Sequence, residues 1–306
     1  MRGFILISLA LFAAVATVDS CGVCETMKWA TCEGTSASCE CKLQLDTTVK
    51  QSINCKKLVP KCFLMKAEMQ RARAGLSVRS IAGKPVETAF VDNDGIYDPE
   101  CENDGKFKAK QCNGTEECWC VNSVGVRRTD IGDKNIECPK LVETYWIRVQ
   151  LKHKEIKTTL NEAKLKETMG NYISTRYQFD KKLIDTIQYD PDGRFIVMDV
   201  KKEKGERNTD LGNMAYYLEK DFKVLPLFFD ETLVSPQVDG QKLEMEKVVV
   251  YYVDEEAPTF TMKNLSGGII AVIVVVVLLV VLGLVALFVL NRRKLNSKNR
   301  GRNDNL

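Results

Sequence analysis

All twelve cysteines of this 306-residue chain lie between Cys21 and Cys138. The count is even, and no thiol occurs after Cys138. Cys21, Cys24, Cys32, Cys39, Cys41 and Cys55 fall within 35 residues, too short a unit to bury the apolar surface that folding needs. Bridges contributing about 2–4 kcal/mol each would compensate. Cys62, Cys101, Cys112, Cys118, Cys120 and Cys138 form a second set. In a secreted chain this pattern predicts a disulfide framework, although spacing alone leaves many pairings open. Zinc is the competing reading, but the chain has one histidine, His153. Cys21-Gly22-Val23-Cys24 has redox spacing, yet it sits among ten other cysteines with no βαβ pattern around it, and a structural role fits better.

Two apolar segments agree with an oxidising compartment. Residues 1–20 carry Arg2, an apolar run from Phe4 to Val15 and small residues to Ser20, the layout of a signal peptide. Cleavage after Ala16 and cleavage after Ser20 both fit. Ile269 to Leu290 contains neither charge nor proline, and as a helix it would extend about 33 Å, enough for a hydrocarbon core of about 30 Å. Arg292, Arg293 and Lys294 follow, which predicts a single span at 267–290 with residues 291–306 in the cytoplasm. The net charge of +3 does not point to nucleic acid.

Residues 139–253 read as a cysteine-free α+β domain. Tyr145, Ile147, Val149 and Leu151 alternate with Arg148, Gln150 and Lys152, as in a half-buried strand. Residues 155–173 are expected to be helical, with Ile156, Leu160, Ala163, Met169 and Ile173 on the buried face. Strands at 183–189 and 195–200 flank the turn Asp190-Pro191-Asp192-Gly193. A second helix, capped near Thr209 or Asp210, has Leu211, Met214, Ala215, Leu218 and Phe222 on its apolar face. Val248 to Val253 closes the domain as a strand, with Gln241 to Lys247 as its expected partner. The order is β-α-β-β-α-β, the split pattern of ferredoxin-like sheets. The remaining divisions are a cysteine-rich unit at 21–61, a second at 62–138 and a polar stalk at 254–266.

Within the second unit, Tyr97-Asp98-Pro99, Cys101, Gln111-Cys112, Cys118-Trp119-Cys120-Val121, Gly125 and Cys138 resemble the thyroglobulin type-1 repeat. That resemblance implies Cys62–Cys101, Cys112–Cys118 and Cys120–Cys138 bridges. Asn113-Gly114-Thr115 is a glycosylation sequon, so Asn113 is a candidate modification site. The stretches ECWCVNSVGVRRTD, TYWIRVQLKHK, TRYQFD, AYYLEKD and YYVDEEAPTF extend the likeness over nearly the whole chain, which resembles the epithelial cell adhesion molecule (EpCAM) family. The family pairing would join Cys21 to Cys39, Cys24 to Cys55 and Cys32 to Cys41. The tail is shorter than the family's and lacks its acidic part, which weakens any signalling role carried over to it. Leu279 stands where the family has an alanine four residues before Gly283, which weakens the implied partnership with claudins.

No catalytic, cofactor or metal constellation emerges. His153 has no accessible nucleophile near it in sequence, and Asp92-Asn93-Asp94-Gly95 fails the calcium-loop pattern at Phe90 and Cys101. The resemblance implies homophilic epithelial adhesion built from dimers, with the 63–100 loop of one copy against the 139–253 domain of another. The alternative is control of cysteine proteases by the thyroglobulin repeat. The helix-like, charged stretch Met65 to Arg73 passes into a polar, glycine-containing segment, which makes Arg73 and Arg79 candidate sites of tryptic nicking, and the stalk a candidate site of shedding.

Overall fold

The computed structural model describes residues 21–35, 38–76, 97–156, 160–223, 225–232, 234–260 and 272–288. The expected signal peptide, Arg79, residues 261–266 and the tail at 291–306 lie outside these. The chain divides into two units, Met1–Pro258 and Thr259–Leu306. In the second, residues 272–288 are helical and their large apolar side chains are exposed. Among the described residues, no helix is long and apolar enough to cross a membrane.

The first cysteine set holds a three-stranded antiparallel sheet of β1 (Thr31–Glu33), β2 (Glu40–Gln44) and β3 (Lys50–Ile53). Its disulfides are Cys21–Cys39, Cys24–Cys55 and Cys32–Cys41, the last linking directly opposed positions on β1 and β2. Little apolar material supports it: Met27, Leu43 and Leu45 are the main buried side chains, consistent with a unit that depends on cross-links. Cys62–Cys101, Cys112–Cys118 and Cys120–Cys138 tie the next unit, and none of the twelve cysteines is free. Zinc and thiol-redox readings therefore lack a thiolate.

That second unit contains α1 (Lys61–Arg73) and the short hairpin of β4 (Lys110–Cys112) and β5 (Cys118–Cys120). Buried Gln111 serves as a backbone bracket. Its Oε1 accepts the Glu100 N–H at 2.7 Å, and its Nε2 donates to the carbonyls of Glu100 and Lys108 at 2.9 and 2.7 Å. Gly125 adopts φ +80°, and a Cβ there would lie 2.5 Å from the Phe107 ring, so only glycine fits.

The cysteine-free domain runs β6 (Thr144–His153), α2 (Glu162–Arg176), β7 (Ile184–Asp190), β8 (Phe195–Lys201), α3 (Leu211–Lys223), a hairpin of β9 (Gln237–Val238) and β10 (Gln241–Lys242), and β11 (Met245–Asp254). Its sheet is antiparallel in the order β11-β6-β8-β7. Ile147, Val149, Leu151, Ile196, Met198 and Val200 are fully buried on one face, in one cluster with side chains of both helices. At about 25 cal/mol per Å² of apolar area, burying these side chains is a substantial hydrophobic contribution.

Three expectations are corrected. The helix expected at 155–173, α2, begins at Glu162, because Asn161 caps it by accepting the Lys164 N–H at 3.0 Å, while the Lys154 N–H is already bonded to the Glu244 carbonyl. Its buried stripe is Leu165, Met169 and Ile173; Ala163 faces solvent. Gln241 and Lys242 pair with Val238 and Gln237, and β11 pairs with β6 instead.

The other helix of the cysteine-free domain, α3, is capped by Asp210, which accepts the N–H groups of Gly212 and Asn213 at 2.8 and 3.1 Å. Its apolar stripe packs on the sheet, and its polar side is buried as well. Asn213 Oδ1 accepts the Lys61 N–H at 2.7 Å, satisfying an otherwise orphaned donor at the start of α1. Tyr217 Oη donates to the Thr26 carbonyl at 2.9 Å and accepts the Val59 N–H at 3.2 Å. Lys220 and Tyr216 both bind Glu68 of α1, at 2.5 and 2.6 Å. One helix of the cysteine-free domain thus anchors both disulfide units.

Candidate interaction surface

The period of two in a strand places every second residue of the sheet opposite its core. On that outer face stand Trp146 and Arg148 of β6, Asp199 and Lys201 of β8, Thr186 of β7 and Tyr251 of β11. Register sets Tyr251 opposite Arg148, and Arg148 opposite Asp199. Asp199 is the hub. Arg148 Nε and Nη2 donate to its two oxygens, both at 2.8 Å, with Trp146 Nε1 at 3.0 Å and Thr186 Oγ1 at 3.1 Å.

The Arg148 guanidinium beside Asp199 holds that carboxyl below the usual range, against the opposing effect of burial and with help from Trp146 and Thr186. Lys201 Nζ lies 4.7 Å from the Trp146 ring centre and the Arg148 guanidinium 5.4 Å from it. These cations keep the indole in place on a face that solvent reaches. Tyr251 is 40 % exposed. The arrangement contains no nucleophile or acid–base pair directed at a pocket. It is an aromatic and charged surface with its side chains already ordered.

His153 is buried and accounted for, with Nδ1 2.7 Å from the Lys154 carbonyl and Nε2 3.1 Å from Tyr189 Oη. Arg73 is the last residue of α1, and its Nη1 lies 2.7 Å from Asp98. Lys66 reaches the same carboxylate at 2.9 Å. Burial pushes the Asp98 pKa up, and hydrogen bonds from Lys66 and Arg73 more than offset this. Asn113 is exposed at the tip of the β4–β5 hairpin. Its Oδ1 accepts from the N–H and hydroxyl of Thr115 at 3.0 and 2.5 Å, and its Nδ2 donates to Glu117 at 2.6 Å. Sequence reasoning gave Arg148 only as a polar position of a half-buried strand and assigned no role to the outer face. The available signal was Trp146, a large aromatic at a position whose neighbours of the same parity are Arg148, Gln150 and Lys152.

A family model described as EPCAM/Trop-2, C-terminal matches residues 144–254, and one for the thyroglobulin type-1 repeat matches residues 68–140. The epithelial cell adhesion molecule of Mus musculus is 40% identical over 95% of this chain and 91% of its own length. The chain belongs to the EPCAM/Trop-2 family. Tumor-associated calcium signal transducer 2 of Homo sapiens is 38% identical over 95% of this chain and 88% of its own length, and the epithelial cell adhesion molecule of Bos taurus is 41% identical over 88% and 83%. Both branches of the family are therefore matched at nearly equal identity. The C-terminal family match runs from β6 to β11, so the outer face lies in the part of the chain most particular to EPCAM/Trop-2 proteins.

Proposed function

We propose that this chain is a single-span cell-surface adhesion protein whose main partner is a second copy of itself. Residues 1–20 direct it to the secretory route, 267–290 anchor it and 291–306 face the cytoplasm, at the lateral membrane of epithelial cells. Copies associate in cis, with the 63–100 loop segment of one against the outer face of the other's four-stranded sheet. The disulfides and an Asn113 glycan belong to the extracellular part. The observation that carries this reading is the ordered, solvent-reached cluster of Trp146, Arg148, Lys201 and Tyr251 in a chain whose named relatives include epithelial cell adhesion molecules. Aromatic and arginine side chains are enriched where protein surfaces meet. Individually weak contacts suffice when many copies share one membrane.

Light scattering of the non-reduced ectodomain over a concentration series tests it. The parent is expected to dimerise as concentration rises, and Tyr251→Asp to raise the dimer dissociation constant at least tenfold. A strict monomer at every concentration overturns the proposal and favours the protease-directed role of the thyroglobulin repeat, which titration against a cathepsin would measure.

A further inference from the structure

Three consecutive carboxylates begin at the last residue of β11, and each is held by a cation from a different segment. Asp254 accepts from Arg128 Nε at 2.9 Å, Asn122 Nδ2 at 2.9 Å and Thr144 Oγ1 at 2.6 Å. Glu255 receives both Arg207 nitrogens at 2.8 Å and the Gly205 N–H at 2.6 Å, while its own N–H donates to the Glu143 carbonyl at 2.9 Å. Glu256 pairs with Lys140. Arg128 also reaches the main chain. Its Nη2 donates to the carbonyls of Glu256 and Ala257 at 2.5 and 2.9 Å. Glu256, Ala257 and Pro258 are nevertheless exposed.

These residues open the polar stretch expected to serve as a protease-accessible stalk, and the structure separates two properties that composition cannot. A bond can face water and still be unavailable. An endoprotease binds several residues in extended form by pairing with their main-chain groups, so a segment must detach from its own fold before it is cut. Detaching Asp254–Ala257 breaks the Arg128 bonds to two carbonyls and removes the carboxylate partner of Arg128, whose side chain is 10 % exposed in the intact pair. Charge-assisted and bidentate bonds are the strong ones.

We propose that Arg128, with Arg207 and Lys140, forms a clasp that shields the peptide bonds of Asp254–Ala257 from endoproteolysis, so that cleavage of the connector is confined to residues beyond Pro258. On the proposed membrane anchoring, the clasp decides where the ectodomain is released. The shielding itself needs no membrane. Arg128 is the central element because its guanidinium binds the Asp254 carboxylate and two main-chain carbonyls of the segment at once.

Digestion of the full chain in detergent with a glutamyl endopeptidase, followed by peptide mass spectrometry, tests this. In the parent, cuts after Glu255 and Glu256 are expected to be slow, and Arg128→Gln should accelerate them at least tenfold. Arg207→Gln, which alters a guanidinium 53 % exposed, should accelerate the cut after Glu255 by a few-fold without moving the melting midpoint, so a misfolded Arg128 variant would not leave the matter open. Lys134→Gln, which breaks an exposed pair with Glu116 in the same unit, should change neither rate. Parent bonds cut as fast as those of Arg128→Gln, or a natively melting Arg128→Gln cut no faster than the parent, overturn the clasp. Neither result bears on dimerisation, which light scattering measures separately.

Discussion

The stapled part of the ectodomain and its cysteine-free part meet the same requirement by opposite means. From Cys21 to Cys138, six disulfides hold short strands over a thin apolar interior. From Thr144 to Asp254 no covalent link exists, and a twisted four-stranded sheet with two helices carries a continuous core. The difference teaches that the seam between them is not a linker. It is held by side-chain hydrogen bonds, because α3 turns polar residues toward both stapled units and most of them are buried there.

Reduction of all six bridges has the largest expected effect. With about 2–4 kcal/mol lost per bridge, residues 21–138 should lose protection from amide exchange, while β6 and β8 keep the slowest exchange. If the sheet amides exchange as fast as those of β1–β3 after reduction, the two parts are one cooperative unit and the comparison fails.

Lys220→Met attacks the seam directly. It leaves the Glu68 carboxylate, fully buried in α1, without its cation. Losing one partner of a buried pair costs about 3–5 kcal/mol, read as a fall in thermal midpoint. Adding Glu68→Gln should restore most of the loss. A double variant no better than the sum of the singles would show that the two groups are not coupled.

Lys61 sharpens the comparison through pH. It lies at the seam, 4 % exposed, with Nζ 5.4 Å from the Tyr216 ring centre and 5.1 Å from that of Tyr252. Burial pulls its pKa down from 10.5 to about 8, against the attraction of Glu219 and Asp210 and with some help from Lys220. Between pH 8 and 10.5 the unfolded chain therefore binds a proton that the folded chain does not, so this group makes stability rise with pH there. Lys61→Met should be more stable than the parent by up to about 3 kcal/mol below pH 8. The advantage should shrink steadily toward pH 10.5. A constant difference across that range would sink the assignment.

The smallest effect concerns nicking. Arg73 ends a helix and is paired with Asp98, so Arg79→Gln should slow tryptic cleavage of the folded chain several-fold and Arg73→Gln should not. Equal cleavage of parent and Arg79→Gln would remove Arg79 as the site.

Local signals were legible where a residue's neighbours in sequence are also its neighbours in space. The alternation of β6, the Asp190–Gly193 turn and the cap at Asp210 are of this kind. The turn closes as Asp190 accepts the N–H groups of Asp192 and Gly193 at 3.1 and 3.2 Å. The start of α2 was not legible, because a bond from Lys154 to Glu244, ninety positions away, holds the chain extended where periodicity favoured helix. Asp199 was likewise hidden. A lone acid on a strand gains meaning only when register brings Arg148, Trp146 and Thr186 to it.

By itself, then, the sequence determined the class of this protein: cysteines gathered ahead of a cysteine-free α+β domain, with a charge-free run from Ile269 to Leu290 behind it. These follow from composition and from short-range periodicity, which need no partner. Only the tertiary structure decided which polar residues are buried. Glu68, Lys220 and Tyr217 lie on helices where a polar group is ordinarily solvated, and the cost of desolvating them is met by bonds 148 to 191 positions apart. No window of sequence contains both members of such a pair.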